Sequence, residues 1–437
     1  MSKIRINLTL EFSLPEEKLT VNGLLAGVKK VMSQIFFIIV KTLFAAIEER
    51  EMERLKTEEP DRFVKNGHQK RLLRTSFGPF WYPLGRVYDK RSKKTFLPLA
   101  KALSIPSHRQ YLDEAMEPAA GLVAHVSFRR SISESERITT GKIGKDTFHS
   151  WLQDFAKGQC NWPDHKKIPY RYLLVDGTGV RLQGYKGKDL GGKQMRWALA
   201  CQGEKKPFEI VGFWVDKTWT EIKNDLKQRL NYKGLEILFS DGGPGIQKAL
   251  LEEGMRHQRC ILHGKRDFPY LLYRDGLKKD AQTFFKEKLD ENPAFHFTKA
   301  KMESLTPKDL PKIKELAQKA KAQFQEMLNL LDPEKYPYAR QYLSNLSENI
   351  ATFFTLWLEK GEIIPLTTNA IESRFSQVKN RIKRIGRRWS EAGLLNWLML
   401  TLNKIFQPEM WQELWNQYLQ INPEFQLIRL EAKYRWI

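Results

Sequence analysis

Cysteine is scarce. The 437 residues hold three, Cys160, Cys201 and Cys260, at no regular spacing. Such a set excludes a disulfide-stapled secreted scaffold and a four-cysteine zinc site, and it points to a reducing, cytoplasmic location. Acid is also in deficit: Asp and Glu number 51 against 73 Lys and Arg, a formal charge of +22. That excess calls for a polyanionic partner, either nucleic acid or an anionic membrane surface. Long apolar runs are missing too. The most apolar N-terminal stretch, LLAGVKKVMSQIFFIIVKTLFAAIEER, is interrupted by Lys29, Lys30 and Lys41. Its longest clean run falls short of the ~20 residues of a spanning helix. It reads as an amphipathic helix packed by one face, with no membrane partner. The opening MSKIRINLTLEF alternates and carries charge, as a strand does and a signal peptide does not. No internal repeat and no low-complexity tract is present.

What the chain has in quantity is aromatic side chains, 25 Phe, 14 Tyr and 12 Trp. With its length, this is the composition of a folded protein of two or three domains. A strand and a helix from about Val21 to Lys56 occupy 1–60. A mainly helical, basic region follows over 61–165, opening with the aromatic hairpin TSFGPFWYPLGRVYDKRSKKTFLPL. Within it, two helices around Thr140-Gly141 read either as a helix-turn-helix, with Lys145 to Lys157 as recognition helix, or as a plain helical hairpin. After the linker NWPDHKKIPY the pattern over 166–268 becomes three antiparallel-looking strands, helix, strand, helix, strand. That order predicts a mixed five-stranded sheet with helices packed on it. Residues 269–361 are helical throughout, 362–405 hold further helices, and 406–437 form a helical tail.

Two strands carry the chemistry. RYLLVDGTGV reads as a strand ending at Asp176 and LEILFSDGGPG as one ending at Asp241, each acid followed by glycine. Neighbouring strands lie ~5 Å apart, so two such carboxylates resist joint ionisation unless a cation sits between them. Hard oxygen donors suit Mg²⁺ or Mn²⁺ better than zinc, and the glycines leave room for a phosphodiester. Capping of the following elements accounts for either acid alone. The third acid is Glu372 in TTNAIESRFSQVKNRIKRI. Its spacing from Asn369 is that of a capping box. It opens a helix whose apolar stripe is Ile371, Phe375, Val378, Ile382 and Ile385 and whose remaining faces are rich in Lys and Arg.

LLVDGTGV, LFSDGGPGIQKAL, QRCILH and TTNAIESRF together resemble the motifs of the Mutator-type DDE transposases of bacterial insertion sequences, in the family's order. The resemblance spans about 170 to 405. It implies an α/β RNase H-like catalytic core interrupted by an all-helical insertion and preceded by a mainly helical DNA-binding region. It also implies Asp176, Asp241 and Glu372 as catalytic residues and as ligands of two Mg²⁺ or Mn²⁺ ions. The expected partner is double-stranded DNA, both element ends and target, held by a homodimer or higher assembly in the bacterial nucleoid. Cys260 and His263 support the active site or contact DNA. His257 extends them to H-x-x-C-x-x-H, a set that lacks a fourth ligand and argues against zinc. Lys265, Arg266, Arg374, Lys379, Arg381, Lys383 and Arg384 are candidate DNA contacts. Trp357 either stacks on an unpaired base or packs in the insertion core. Two rival readings share the sequence: an RNase H-like nuclease or resolvase that cuts without joining, and a non-catalytic DNA-binding protein that keeps the fold.

Overall fold

The computed structural model describes residues 3–13, 20–138, 144–159, 162, 164–183, 193–243, 245–379, 381–382, 389–422, 424–425 and 427–429. They fall into two compact units, Met1–Cys160 with Asn396–Ile437, and Asn161–Leu395.

In the first unit a helix spans Val21–Glu58, opened by Thr20, whose hydroxyl accepts Gly23 N–H at 3.1 Å. Residues 3–13 form no strand, because among the described residues no neighbour pairs with their backbone. Strands β1 (Phe63–Thr75), β2 (Gly78–Asp89) and β3 (Lys94–Phe96) make an antiparallel sheet. One side of it, Leu73, Phe80, Tyr82 and Leu84, packs against Phe37, Val40, Phe44 and Ile47 of the long helix. Glu48 fixes that packing by accepting Gly85 N–H at 2.6 Å. By length and composition the helix is apolar enough to cross a membrane, which the sequence reading did not anticipate; this face of it is nevertheless docked on protein.

Helices Phe128–Ile138 and Lys145–Gln159 are present, while the turn expected at Thr140-Gly141 lies outside the described residues. The second buries Phe148, Trp151, Leu152 and Phe155. Its exposed side mixes Lys145 and Lys157 with Asp146 and Asp154. The helix Pro408–Tyr418 completes this core rather than forming a separate tail. Trp415 stacks on Phe155 at 4.4 Å between ring centroids and lies 5.7 Å from Trp151.

The second unit is built on β4 (Tyr172–Val180), β5 (Lys193–Cys201), β6 (Glu209–Val215), β7 (Ile237–Ser240) and β8 (Arg256–Arg259). Their order in the sheet is β6-β5-β4-β7-β8, with β4 antiparallel to β5, β5 antiparallel to β6, and β4, β7 and β8 mutually parallel. The expected mixed five-stranded sheet is therefore present. Alternate residues face opposite sides of a strand. Leu173, Val175 and Leu238 pack against the helices Trp219–Arg229 and Ile246–Leu250. The other face meets the helix Asn369–Lys379, with Phe375 4.5 Å from Trp197.

Between β8 and that helix the chain is helical: Ile261–Arg274, Lys279–Asp290, Leu310–Leu330, Pro337–Asn349 and Thr352–Lys360 are the longer pieces. It returns to the sheet through Glu362, which accepts from Arg171 at 3.0 Å and from the Tyr172 hydroxyl. Arg171 also grips Glu236, at the start of β7, through two bonds of 2.7 and 2.8 Å.

Trp415→Ala removes a fully buried ring, and about 3–5 kcal/mol of stability should go with it. Chemical denaturation should register the loss, whereas a detached tail would leave stability unchanged.

Candidate active site

Parallel pairing sets the site. Tyr172, Leu173 and Leu174 lie opposite Ile237, Leu238 and Phe239. Two residues further along the chain from Leu174 and Phe239 come Asp176, still on β4, and Asp241, just past the end of β7 at Ser240. Asp176 is not the end of its strand, as the sequence suggested; β4 continues to Val180 by pairing with β5 after β7 has stopped. The acid thus projects from the sheet where its neighbour on one side has ended. It is buried, 8% exposed. Burial first, and then the charge of Asp241, push its carboxyl up to about 7, with Glu372 adding to the rise. The Gly177 N–H at 2.7 Å and nearby His263 work the other way. Asp176 therefore feels both of the other acids.

Asp241 begins a tight loop in which its own carboxylate accepts Gly243 N–H at 2.8 Å and Ser240 Oγ accepts Gly242 N–H at 3.1 Å. Gly242 has φ +83°, and a Cβ there would stand 2.0 Å from Nε of Arg259. The space opened by this glycine is taken by a buried arginine and not left for a ligand. Arg259 comes from β8, is 1% exposed, donates to Asp241 O at 3.4 Å and to Asn345 Oδ1 at 3.2 Å, and lies 4.2 Å from the Tyr342 ring. Asn345 in turn donates to Gln247 Oε1 at 3.0 Å. Nothing in the sequence spacing marked Arg259, Tyr342 or Asn345.

Glu372 stands in the first turn of its helix. The Asn369 capping box is not what holds it. Thr368 donates its hydroxyl to Glu372 Oε1 at 3.3 Å, and His263 Nε2 lies 3.5 Å from the same oxygen. Its side chain remains 46% exposed. Cys260 sits at the N-cap of the helix Ile261–Arg274 rather than on a fifth strand, since β8 ends at Arg259. Thr368 N–H approaches its Sγ at 3.4 Å, and Thr368 Oγ1 lies 3.3 Å from His263 Nδ1. Burial opposes the thiolate, but hydrogen bonds with His263 and Thr368 outweigh it and hold the Cys260 thiol below its ordinary value. The bond to Cys260 correspondingly raises His263 against its burial. Cys260 and His263 are thus tied to Glu372 through Thr368, a residue the sequence reading missed. His257 belongs to a different network. Its Nε2 lies 2.8 Å from Ser240 Oγ, and burial takes its pKa down to about 4, which keeps the ring neutral.

The candidate DNA contacts separate. Arg266 is exposed, pairs with Asp267 at 2.7 Å and lies in the field of Glu372 and Asp241. Lys379 is exposed. Lys265 is engaged by Asp290 at 2.7 Å. Arg374 turns inward, donating to Ala370 O at 3.1 Å and to Phe208 O, and so pins its helix to the approach to β6. Arg381 is buried beside Trp389, with its guanidinium 5.9 Å from that ring. Trp357 is also buried, alongside Phe353 and Phe354, and is not offered to a base. The structure gives these last three packing partners within the protein, for Trp357 the second of its two readings; Lys383 and Arg384 lie outside the described residues.

Among the described residues no group of three His, Cys, Asp or Glu is close enough together to hold a metal ion. The donor chemistry nevertheless fits a hard divalent cation. Asp176 and Asp241 are a repelling carboxylate pair whose penalty such an ion removes, and Glu372 is an exposed third oxygen donor within their field.

No family model matches the chain. A curated relative from Streptococcus gallolyticus, described as "UPF0236 protein in vanSb 3'region", is 24% identical over 186 residues, which are 38% of this chain and 39% of the relative. The chain thus matches well under half of that relative's length. A solved chain of the Drosophila P element transposase strand transfer complex aligns over 73% of this chain and 84% of its own, at 13% identity and a TM-score of 0.27. That score establishes no common fold.

The raised Asp176 carboxyl gives a signed stability prediction for chelator-treated protein. Its folded pKa of about 7 exceeds the usual carboxylate value. The penalty is therefore absent below about pH 4, grows as pH rises, and is complete above about pH 7. Asp176→Asn should match wild type near pH 4 and be more stable at pH 8, by an amount on the order of 4 kcal/mol at most. Melting curves at the two pH values check this; an equal effect at both would show that neither burial nor Asp241 raises the Asp176 carboxyl.

Proposed function

We propose that the chain is a metal-dependent DNA transposase of the Mutator type, acting at the ends of a bacterial mobile element through an RNase H-like core. The observation that carries the reading is the buried Asp176 on β4 beside the end of β7, where Asp241 follows Ser240, with Asp241 and Glu372 both raising its carboxyl. The order β6-β5-β4-β7-β8, with a three-stranded meander extended by two parallel strands, supports such a core. The chain's formal charge of +22 supports a DNA partner.

Asp176, Asp241 and Glu372 would hold one or two Mg²⁺ or Mn²⁺ ions. When bound, such ions supply activation of a water or 3′-hydroxyl oxygen and stabilisation of the departing oxygen in in-line phosphoryl transfer. The chain's own part is positional. The sheet fixes Asp176, the Gly242–Gly243 turn over Arg259 fixes Asp241, and Thr368 with His263 orients Glu372. Arg266 and Lys379 remain on the outside as candidate phosphate contacts. Strand transfer between two element ends calls for at least two copies in the working complex.

The test uses purified protein, Mg²⁺ or Mn²⁺, labelled duplexes taken from the DNA that flanks the gene, and a plasmid target. Wild type is expected to nick at a repeat boundary and to yield joined product. Asp241→Ala should lose several kcal/mol of transition-state stabilisation, on the order of 10³-fold, while still binding DNA. His263→Gln, which removes the ring beside Glu372, Thr368 and Cys260 but leaves all three acids, should cost about 10–100-fold. Cutting without joining would replace this reading by a nuclease, and salt-sensitive binding without cutting by a DNA-binding protein.

A further inference from the structure

The helix Val21–Glu58 has a second apolar side. Val21, Leu24, Val28, Val31, Ile35 and Ile38 recur at alternating steps of three and four residues, a strict seven-residue repeat. Leu25, Met32 and Ile39 widen the stripe by one position in each repeat. At 100° per residue this stripe lies on the side away from Phe37, Val40, Phe44 and Ile47, which dock on the β1–β2 sheet. Seven of the nine are exposed, among them Val21 at 73% and Leu25 at 62%, while Val31 and Ile35 are half-buried.

We propose that this stripe is where a second copy of the chain docks, helix against helix, before any DNA is bound. Two observations select that occupant. A repeat of 3.5 residues keeps an apolar seam facing a partner helix, whereas packing on a flat surface follows the 3.6-residue turn. The stripe is also of interface size. It runs for about 27 Å, long enough for nine apolar side chains to approach the area each partner brings to a standard interface, about 800 Å². Cation placement disfavours an anionic membrane surface. At 100° per residue Lys29, Lys30 and Lys41 all fall on the docked half of the helix, Lys29 in line with Ile47. Inward-facing β-branched and leucine side chains without a charge among them would give the pair a dry seam. The proposal is independent of the catalytic reading.

The experiment takes the full chain, freed of nucleic acid by nuclease and high salt, and measures its mass by sedimentation equilibrium at micromolar concentration. Wild type is expected as a dimer. The triple variant Leu24→Glu, Val28→Glu, Ile38→Glu should be a monomer with unchanged circular dichroism, because all three side chains already face solvent. A milder pair, Val28→Ser with Ile38→Ser, should raise the dimer dissociation constant at least tenfold. It guards against a fold lost to three charges. A monomeric wild type overturns the proposal, as does a dimer that survives both variants. Flotation with vesicles of phosphatidylcholine and phosphatidylglycerol, lost in the triple variant while wild type stays monomeric, assigns the stripe to a lipid surface and also overturns it.

Discussion

Two carboxylates forced side by side are the constraint around which the second unit is arranged. Asp176 stands on β4 beside the end of the parallel strand β7, where Asp241 follows Ser240, and the burial of Asp176 makes their repulsion expensive. A protein does not hold such a pair without strong support. That support is a sheet packed on both faces, with aliphatic side chains of β4 and β7 set against two helices on one side and Trp197 meeting Phe375 on the other. Arg171 then locks the start of β4 to the start of β7, so neither strand can slip to separate the acids. A slip of one residue would turn the entire set of side chains to the wrong face.

The loop after β7 solves a second problem, keeping Asp241 in place without a long helix behind it. The helix that follows the loop is short, Ile246–Leu250. Rigidity comes from below the loop. Arg259 fills the volume that a Gly242 side chain would need and reaches across to Asn345, which continues to Gln247. A buried guanidinium held by a carbonyl, an amide and an aromatic face brings no carboxylate to compete with Asp241 for a cation. The helical insertion is therefore more than an appendage to the sheet. Its helix Pro337–Asn349 supplies two of the three partners that keep Arg259 under the Asp241 loop.

How far the sequence spoke can be judged residue by residue. Alternation and flanking glycines located the strands and both aspartates, since these follow from local pattern. The long helices and the stripe of Ile371, Phe375 and Val378 were equally local, and each is buried as the pattern implied. What was not legible depended on partners distant in sequence. Trp357 has the composition of a stacking residue until the insertion closes around it, and Arg374 and Arg381 count as cations until their side chains turn inward. Alternating residues at 3–13 resemble a strand, but a strand needs a neighbour and none pairs with them among the described residues. Trp415 joins a core built by Phe155 and Trp151, more than two hundred and fifty residues earlier, and no periodicity within the tail could reveal that.

The third acid differs from the other two in a way that bears on how the site works. Asp176 is fixed on β4 and Asp241 by the turn over Arg259, whereas Glu372 is held by hydrogen bonds that a side-chain rotation can break, and it is half exposed. Its present partners, Thr368 and His263, are themselves joined to Cys260 at the head of the helix that leaves β8. The head of that helix is anchored twice more, by Cys260 N–H on Ser240 O at 2.9 Å and Ile261 N–H on Leu366 O at 3.1 Å. The orientation of Glu372 is thus set from the same end of the sheet that places Asp241. In the proposed reading Asp176, Asp241 and Glu372 would hold a divalent cation, and Glu372 is the one of the three whose carboxylate is shared with Thr368 and His263.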